Sequence, residues 1–197
     1  RNGSVGQRSA RSIDCSCISR CEFIMRVRLI DPLSSAEIAL VAKRMLETLV
    51  EVEGTERGLQ VHSIEWLEQR VRWHLDAASV TGLVLVAEDA GGDIVGHLIC
   101  RLDNRGAVPT GLIATAYVLP AFRRGGVAHD LVDRAHHWFR AQGAALTSTW
   151  TSGTNSRLIS LFGKFGYQIV DNGPNGVNGT PMVKLGAYLD HVPIRAT

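Results

Sequence analysis

Residues 118–128, VLPAFRRGGVA, join the end of an apolar strand to the start of an amphipathic helix through a proline, two arginines and two glycines. Pro120 ends strand pairing because it has no N–H to donate. Gly125 and Gly126 permit a tight turn and a close approach of backbone to ligand. The first amides of the following helix have no intrahelical partner, and the helix dipole makes them attractive to anions. Arg123 and Arg124 add charge-assisted donors of the kind that pair with phosphate. Residues 123–128 therefore read as a pyrophosphate cradle between a strand and a helix. The G-K-[ST] ending of a P-loop is missing, and no G-x-G-x-x-G follows the first strand, so neither ATP or GTP nor a dinucleotide is implied.

Apolar periodicity sets this cradle inside a larger pattern. Residues 25–30 alternate apolar and basic side chains, as a half-buried strand does, and Asp31-Pro32 ends them. Ser34 and Glu37 have the S-x-x-E spacing of a capping box, and Ile38, Val41, Ala42, Met45, Leu46 and Leu49 follow as one helical stripe. Residues 51–60 are rich in Gly and Glu and read as a loop. Ser63 caps a second helix with Ile64, Leu67, Val71 and Leu75 on its buried face. Residues 83–88 and 94–102 flank a DAGGD turn, a strong hairpin pattern. A loop then leads to a strand over 112–118. Val127, Leu131, Ala135 and Phe139 mark a helix that Gly143 stops. A strand over 144–151, a helix opened by Asn155 and stopped by Gly166, and strands over 167–170 and 182–185 complete the chain. The order β-α-α-β-β-β-α-β-α-β-β predicts a mixed sheet with helices packed against it.

The 197 residues suffice for one domain with a hydrophobic core. With 45% apolar and 20% charged residues the composition is globular, which argues against wholesale disorder. A net charge of +2 gives no ground for a nucleic-acid or anionic-membrane partner, and no apolar run approaches a membrane span. Three of the four cysteines (Cys15, Cys17, Cys21) crowd into the first 21 residues, so no disulfide framework is indicated. No nearby His or further Cys completes a zinc site there, and no metal is expected. Residues 1–24 lack both apolar period and the h-region of a signal peptide. They are expected to be upstream or appended sequence, followed by one domain over 25–190 and a tail over 191–197. With no signal segment, the expected location is cytoplasmic.

The cradle resembles the CoA-binding motif of the GNAT superfamily of N-acetyltransferases, R/Q-x-x-G-x-G/A at a strand end, often preceded by V-x-P. Arg123, Gly126 and Ala128 fill that pattern, with Val118 and Pro120 in register. Asn155 to Tyr167 match, with substitutions, the spacing of the family's N-x-x-A-x-x-L-Y-x-x-x-G-F, and LVLVAEDAGGDIVGHLI is similar to its second and third strands. The resemblance runs over residues 26–185. It implies an α/β (α+β) GNAT fold with a central mixed, mostly antiparallel sheet of about six to seven strands flanked by about four helices. It also implies acetyl-CoA as co-substrate and direct attack of a primary amine on the thioester. The absence of a G-x-S-x-G elbow and of a Cys-His pair agrees with a route that needs no acyl-enzyme. Many relatives are homodimers, so a dimer is an expectation by analogy.

By the same resemblance the oxyanion donor is the backbone N–H near Val118. CoA contacts fall to Val118, Arg123, Arg124, Gly125, Gly126, Val127 and Ala128, with Asn155 as a helper. Many members use the Tyr of the L-Y pair as general acid; here that position is Phe162, which has no proton to give. Residues 112–118 offer no acidic base, leaving Tyr117 as a candidate acid, beside a structural reading of the same ring and a water-carried proton. Glu51, Glu53 and Glu56 lie where the family lines its acceptor site, and Asp103 is a further acidic candidate. They suit a polycationic amine, an aminoglycoside (hence antibiotic resistance) or a polyamine, or else form a solvated acidic loop. His97 reads either as a helper in deprotonating the amine or as a strand histidine satisfied by a neighbour. His129, His136 and His137 read as a solvated helix face, and Trp66, Trp73 and Trp138 as packing groups. The competing readings are acetylation of a protein lysine or N-terminus, and a CoA-binding module without catalysis.

Overall fold

The computed structural model describes residues 25–190 apart from Arg105 and Ala107. The expectations for residues 1–24, including the cysteine cluster, and for 191–197 lie outside the described residues. The elements are β1 (Arg26–Leu29), α1 (Ser35–Glu53), α2 (Thr55–Val61), α3 (Ile64–Leu75), β2 (Gly82–Glu88), β3 (Ile94–Asp103), β4 (Thr110–Val118), α4 (Val127–Ala141), β5 (Leu146–Ser152), α5 (Ser156–Gly163), β6 (Gln168–Pro174) and β7 (Pro181–Tyr188). They form one seven-stranded sheet in the order β1-β2-β3-β4-β5-β7-β6. Every neighbouring pair is antiparallel except β4 with β5.

Strand alternation divides the core between the two faces of this sheet. Val84, Val86 and Ile99 face Ile38, Val41 and Val71 of α1 and α3. Leu85, Ala87, Leu98 and Cys100 face the other way, onto Leu131, Ala135 and Phe139 of α4 and Phe162 at α5. Each fully buried Leu, Ile or Phe contributes about 1.5–3 kcal/mol by leaving water, so these two layers supply most of the driving force.

The caps form much as the sequence predicts. Ser34 Oγ accepts from the Glu37 N–H at 3.2 Å, Ser63 Oγ from Trp66 N–H at 3.2 Å, and Asn155 Oδ1 from Leu158 N–H at 3.2 Å. The capping box differs in its second half. The Glu37 carboxylate accepts from the Asp31 N–H and from Arg28, which also pairs with Glu88, so it fastens α1 to β1 and β2.

The stretch 51–60 is not a loop. α1 continues through Glu53, Gly54 turns the chain with φ 84°, and α2 follows, giving five α-helices among the described residues where about four were expected. Nothing in 50–53 breaks a helix, and Gly58 marks the reason for the second one. A Cβ there would lie 2.6 Å from Val50 Cα, so α2 folds back onto α1 at a distance only glycine tolerates. His136 also departs from expectation: it is fully buried, and its Nε2 lies 2.7 Å from the Tyr167 hydroxyl. Burial pulls its pKa down to about 3, so it sits neutral in the core.

Gly111 gives a direct test of the packing between β4 and α4. A Cβ added there would come within 2.4–2.5 Å of the buried Phe139 ring. Gly111→Ala is expected to cost about 2–3 kcal/mol, read as a lowered midpoint in urea unfolding with unchanged slope. An unshifted midpoint would mean that the ring moves aside freely.

Candidate active site

β4 and β5 pair only at their beginnings, Thr110 to Ile113 with Leu146 to Thr149. Just beyond, β4 carries one residue too many. Ile99 of β3 faces Thr115 while Cys100 faces Ile113, which leaves Ala114 as a bulge. A bulge bends its strand and raises the local twist. The far half of β4 stays on β3 as far as Val118, whereas β5 stays on β7 as far as Ser152. The two strands part, and a cleft of about 290 Å³ opens between them, bounded by Ile113 to Ala116 and Thr149 to Ser152. Residues of α1 and α3, and the turn between β6 and β7, wall its other side.

The ladder fixes which backbone groups face this opening. The Leu119 N–H bonds the Val95 carbonyl at 2.9 Å, and Val118 lies opposite Gly96. Alternation in an antiparallel ladder then turns the Val118 N–H and C=O away from β3, toward the side that β5 has left. The carbonyl is taken by Arg123 Nε at 2.8 Å. The N–H remains directed at the opening.

One turn further on, the chain winds through two left-handed residues, Arg124 at φ 69° and Gly126 at φ 91°. Gly126 is the N-cap of α4 and supplies no side-chain cap, and the first intrahelical bond runs from Asp130 N–H to the Gly126 carbonyl at 3.0 Å. The amides of Val127, Ala128 and His129 therefore have no partner within the helix, the arrangement that binds anions. The two arginines divide. Arg123 lays its guanidinium on Glu51 through bonds of 2.8 and 2.7 Å, and Arg157 reaches the same carboxylate at 2.6 Å. The Arg123 fork holds the Glu51 carboxyl below its ordinary range, chiefly by hydrogen bonding. Arg124 has no hydrogen bond or ion pair among the described residues, so its charge remains available at the cradle.

A backbone N–H aimed into a split between parallel strands, with an open helix N-terminus beside it, fits a CoA thioester and its pyrophosphate. The profile of the Acetyltransferase (GNAT) family matches residues 42–167. The chain belongs to the GNAT acetyltransferase family. It is an acetyl-CoA-dependent N-acetyltransferase. Solved structures share the fold at low identity. The NatC complex bound to Gag peptide and CoA gives a TM-score of 0.68 at 19% identity, over 83% of this chain and 98% of that one. YncA from Salmonella typhimurium, with acetyl-CoA, gives 0.65 at 18% over 88% and 99%. Spermidine N-acetyltransferase from Vibrio cholerae, in complex with CoA and spermine, gives 0.64 at 13% over 85% and 96%. No curated protein matches the sequence significantly.

Within this GNAT frame the remaining sequence candidates fall in distinct places. The Tyr117 hydroxyl donates to Glu47 at 3.0 Å, and burial with that carboxylate raises its pKa, so its proton is held at Glu47. His97 is fully buried with its ring stacked near Tyr117, its pKa pulled to about 3 by burial, and neither ring nitrogen has a hydrogen-bond partner among the described residues. Asp103 pairs with Thr110 at the opposite end of the ladder from Val118, about 24 Å away at the usual strand rise. Asn155 caps α5, donates to Thr151 Oγ1 at 3.1 Å and lines the cleft. Of the three acidic candidates near α1, Glu51 is neutralised by the two arginines and Glu56 is exposed on α2. Glu53 lines the cleft and accepts from Thr180 Oγ1 at 2.5 Å. Phe162 lies fully buried at the cleft's base with its ring 4.8 Å from Tyr167.

Several cleft residues escaped the sequence reading. Trp66, taken as a packing group, is 43% exposed on the cleft wall with the His62 ring stacked on it at 3.7 Å. Arg70 and His74 share that wall. Their four-residue spacing with Trp66 on one helix was the available signal.

The cradle is tested at Gly126. At φ 91° a β-branched side chain is strained whatever space surrounds it. Gly126→Val is expected to weaken acetyl-CoA by at least ~10-fold in titration calorimetry while the far-UV spectrum is kept. Unchanged affinity would remove the cradle assignment.

Proposed function

We propose that this GNAT enzyme acetylates a primary amine of a small molecule that enters the cleft from the α1/α3 side. Acetyl-CoA supplies the activated acetyl group as a thioester. The α4 N-terminal amides and Arg124 are suited to hold the pyrophosphate, and Asn155 keeps the α5 end of the cleft in register. An amine nitrogen in the cleft attacks the carbonyl carbon, the new N–C bond forms, the C–S bond breaks, the thiolate takes up a proton and the amine loses one. The Val118 N–H, turned away from β3 toward the opening, is suited to the negative charge that develops on the carbonyl oxygen, and this orientation supports the reading. Since Phe162 has no proton and Tyr117 is committed to Glu47, water in the cleft carries the proton transfers.

A small acceptor suits the walls better than a peptide. Glu53 at the end of α1 bonds Thr180 and Asn178, tying the β6–β7 turn across that side of the cleft. The cationic class expected from the acidic segment rests on Glu53 alone, since Glu51 is already paired with Arg123 and Arg157. Spermidine N-acetyltransferase and NatC share the fold, so fold likeness favours neither polyamines nor peptides.

CoA release from acetyl-CoA is measured with polyamines, aminoglycosides, amino acids and short peptides. Turnover on a small amine is expected, and turnover on peptides alone would favour protein acetylation. Val118→Pro removes the N–H without breaking a ladder bond and should lower kcat, measured at saturating acetyl-CoA, about 100-fold or more. An unaffected kcat would place the oxyanion donor elsewhere.

A further inference from the structure

The wall of the cleft carries a cation that no carboxylate among the described residues pairs with. Trp66, Arg70 and His74 stand four residues apart on α3, and all line the cleft. The Arg70 guanidinium rests 4.4 Å over the Trp73 ring, yet among the described residues it has no hydrogen bond or ion pair. Burial, and then the charge of Arg101, push its pKa below the ordinary value. Glu53, the one carboxylate among the described residues that line the cleft, is engaged with Thr180 and Asn178.

His74 supplies a second, independent sign of a ligand. It is 1% exposed, and its Nδ1 lies 2.8 Å from the Arg70 carbonyl. A carbonyl only accepts, so Nδ1 carries the proton and Nε2 presents a lone pair. That Nε2 is buried without a partner on the cleft wall. Burial holds the imidazole neutral, with a pKa of about 4. A buried acceptor without a partner costs free energy unless a ligand completes it, and the half-buried Arg70 fork shares its wall.

We propose that Arg70 is the anchor for a carboxylate on the acceptor, with His74 Nε2 accepting a hydrogen bond from the same molecule, so that the acceptor is an amino acid rather than a polyamine. The inference rests on the cleft being the acceptor site. The guanidinium fork matches a carboxylate in two parallel bonds. Met45, Leu49 and Leu67 form an apolar stretch of the same wall, which favours an apolar side chain on that amino acid.

The test uses the full chain and CoA release from acetyl-CoA. The acceptors are L-alanine, L-leucine, L-methionine, L-phenylalanine and L-glutamate, each beside its carboxamide, with spermidine and O-phosphoethanolamine as amines lacking a carboxylate. At least one free amino acid is expected to have a KM about 30-fold or more below that of its carboxamide. Arg70→Gln should bring that ratio close to one while the acetyl-CoA Kd stays within about twofold, and Arg70→Lys, which keeps the charge but loses the fork, should give an intermediate ratio. A structural role for Arg70 would not change the acid-to-carboxamide ratio, and the wild-type comparison needs no variant to fold. Equal KM for acid and carboxamide, or turnover confined to spermidine or O-phosphoethanolamine, overturns the anchor and leaves amine acetylation standing. Arg70-dependent binding of an amino acid to the CoA complex, read by tryptophan fluorescence, without turnover on any amine keeps the anchor and overturns the catalytic reading. Neither binding nor turnover overturns both.

Discussion

The bulge at Ala114 is the feature on which the rest of the site depends. A regular β4 would continue beside β5 to its end, bury both strand edges and leave no opening. With one residue unpaired, β4 bends away while its other edge remains fully bonded to β3. The protein thereby carries a strand edge in its interior, a row of backbone donors and acceptors that elsewhere would need another strand. The arm of CoA has amide groups of its own, so such an edge can be satisfied by the co-substrate. The same bend leaves the Val118 N–H turned away from β3, toward the side that β5 has left, a few residues before the RRGG turn.

The ion pairs around this opening fix geometry more than they add stability. Glu51, held by Arg123 and Arg157, joins the end of α1 to the β4–α4 turn and to α5. These groups are partly exposed, with side-chain exposures of 28% for Arg123 and 39% for Glu51, and pairs of that kind contribute about 0–1 kcal/mol. A single buried core side chain outweighs that, by about 1.5–3 kcal/mol. What the bridge determines is the orientation of Arg123, whose Nε occupies the Val118 carbonyl and leaves the N–H as the free backbone polar group at that point.

Local signals made most of the architecture legible. Ser34, Ser63 and Asn155 each cap the helix that its position announces, and the DAGGD turn joins β2 to β3. The RRGG segment suggested a cradle because its chemistry is contiguous in sequence. Long-range partners were hidden. Glu51 and Arg123 are separated by 72 positions, and no periodicity relates them. The acidic run therefore looked like an open loop, when two of its carboxylates are bound to arginines or to the β6–β7 turn. Gly58 read as a loop residue because its reason, contact with the Val50 backbone, exists only once α2 has folded onto α1. His136 misled in the same way, since histidine suits either a wet face or a core site and only the packing around it decides, while His97 is the buried strand histidine that was one of its two readings.

Among the described residues the one carboxylate lining the cleft, Glu53, is bonded to Thr180 and Asn178, and this bears on the acceptor. An amine must be unprotonated to attack, and a lysine-like amine with a pKa near about 10.4 is almost wholly charged at neutral pH, whereas an α-amino group titrates near about 8. The first needs a strong local base; the second far less. In a free amino acid the neighbouring carboxylate stabilises the ammonium and raises its pKa. A guanidinium laid on that carboxylate offsets the effect and favours the neutral amine. Arg70 thus fits the proton inventory of the site as well as its charge balance. With Tyr117 bound to Glu47, Phe162 without a proton and His74 neutral, a cleft of this composition suits an amine that needs little help in losing its proton.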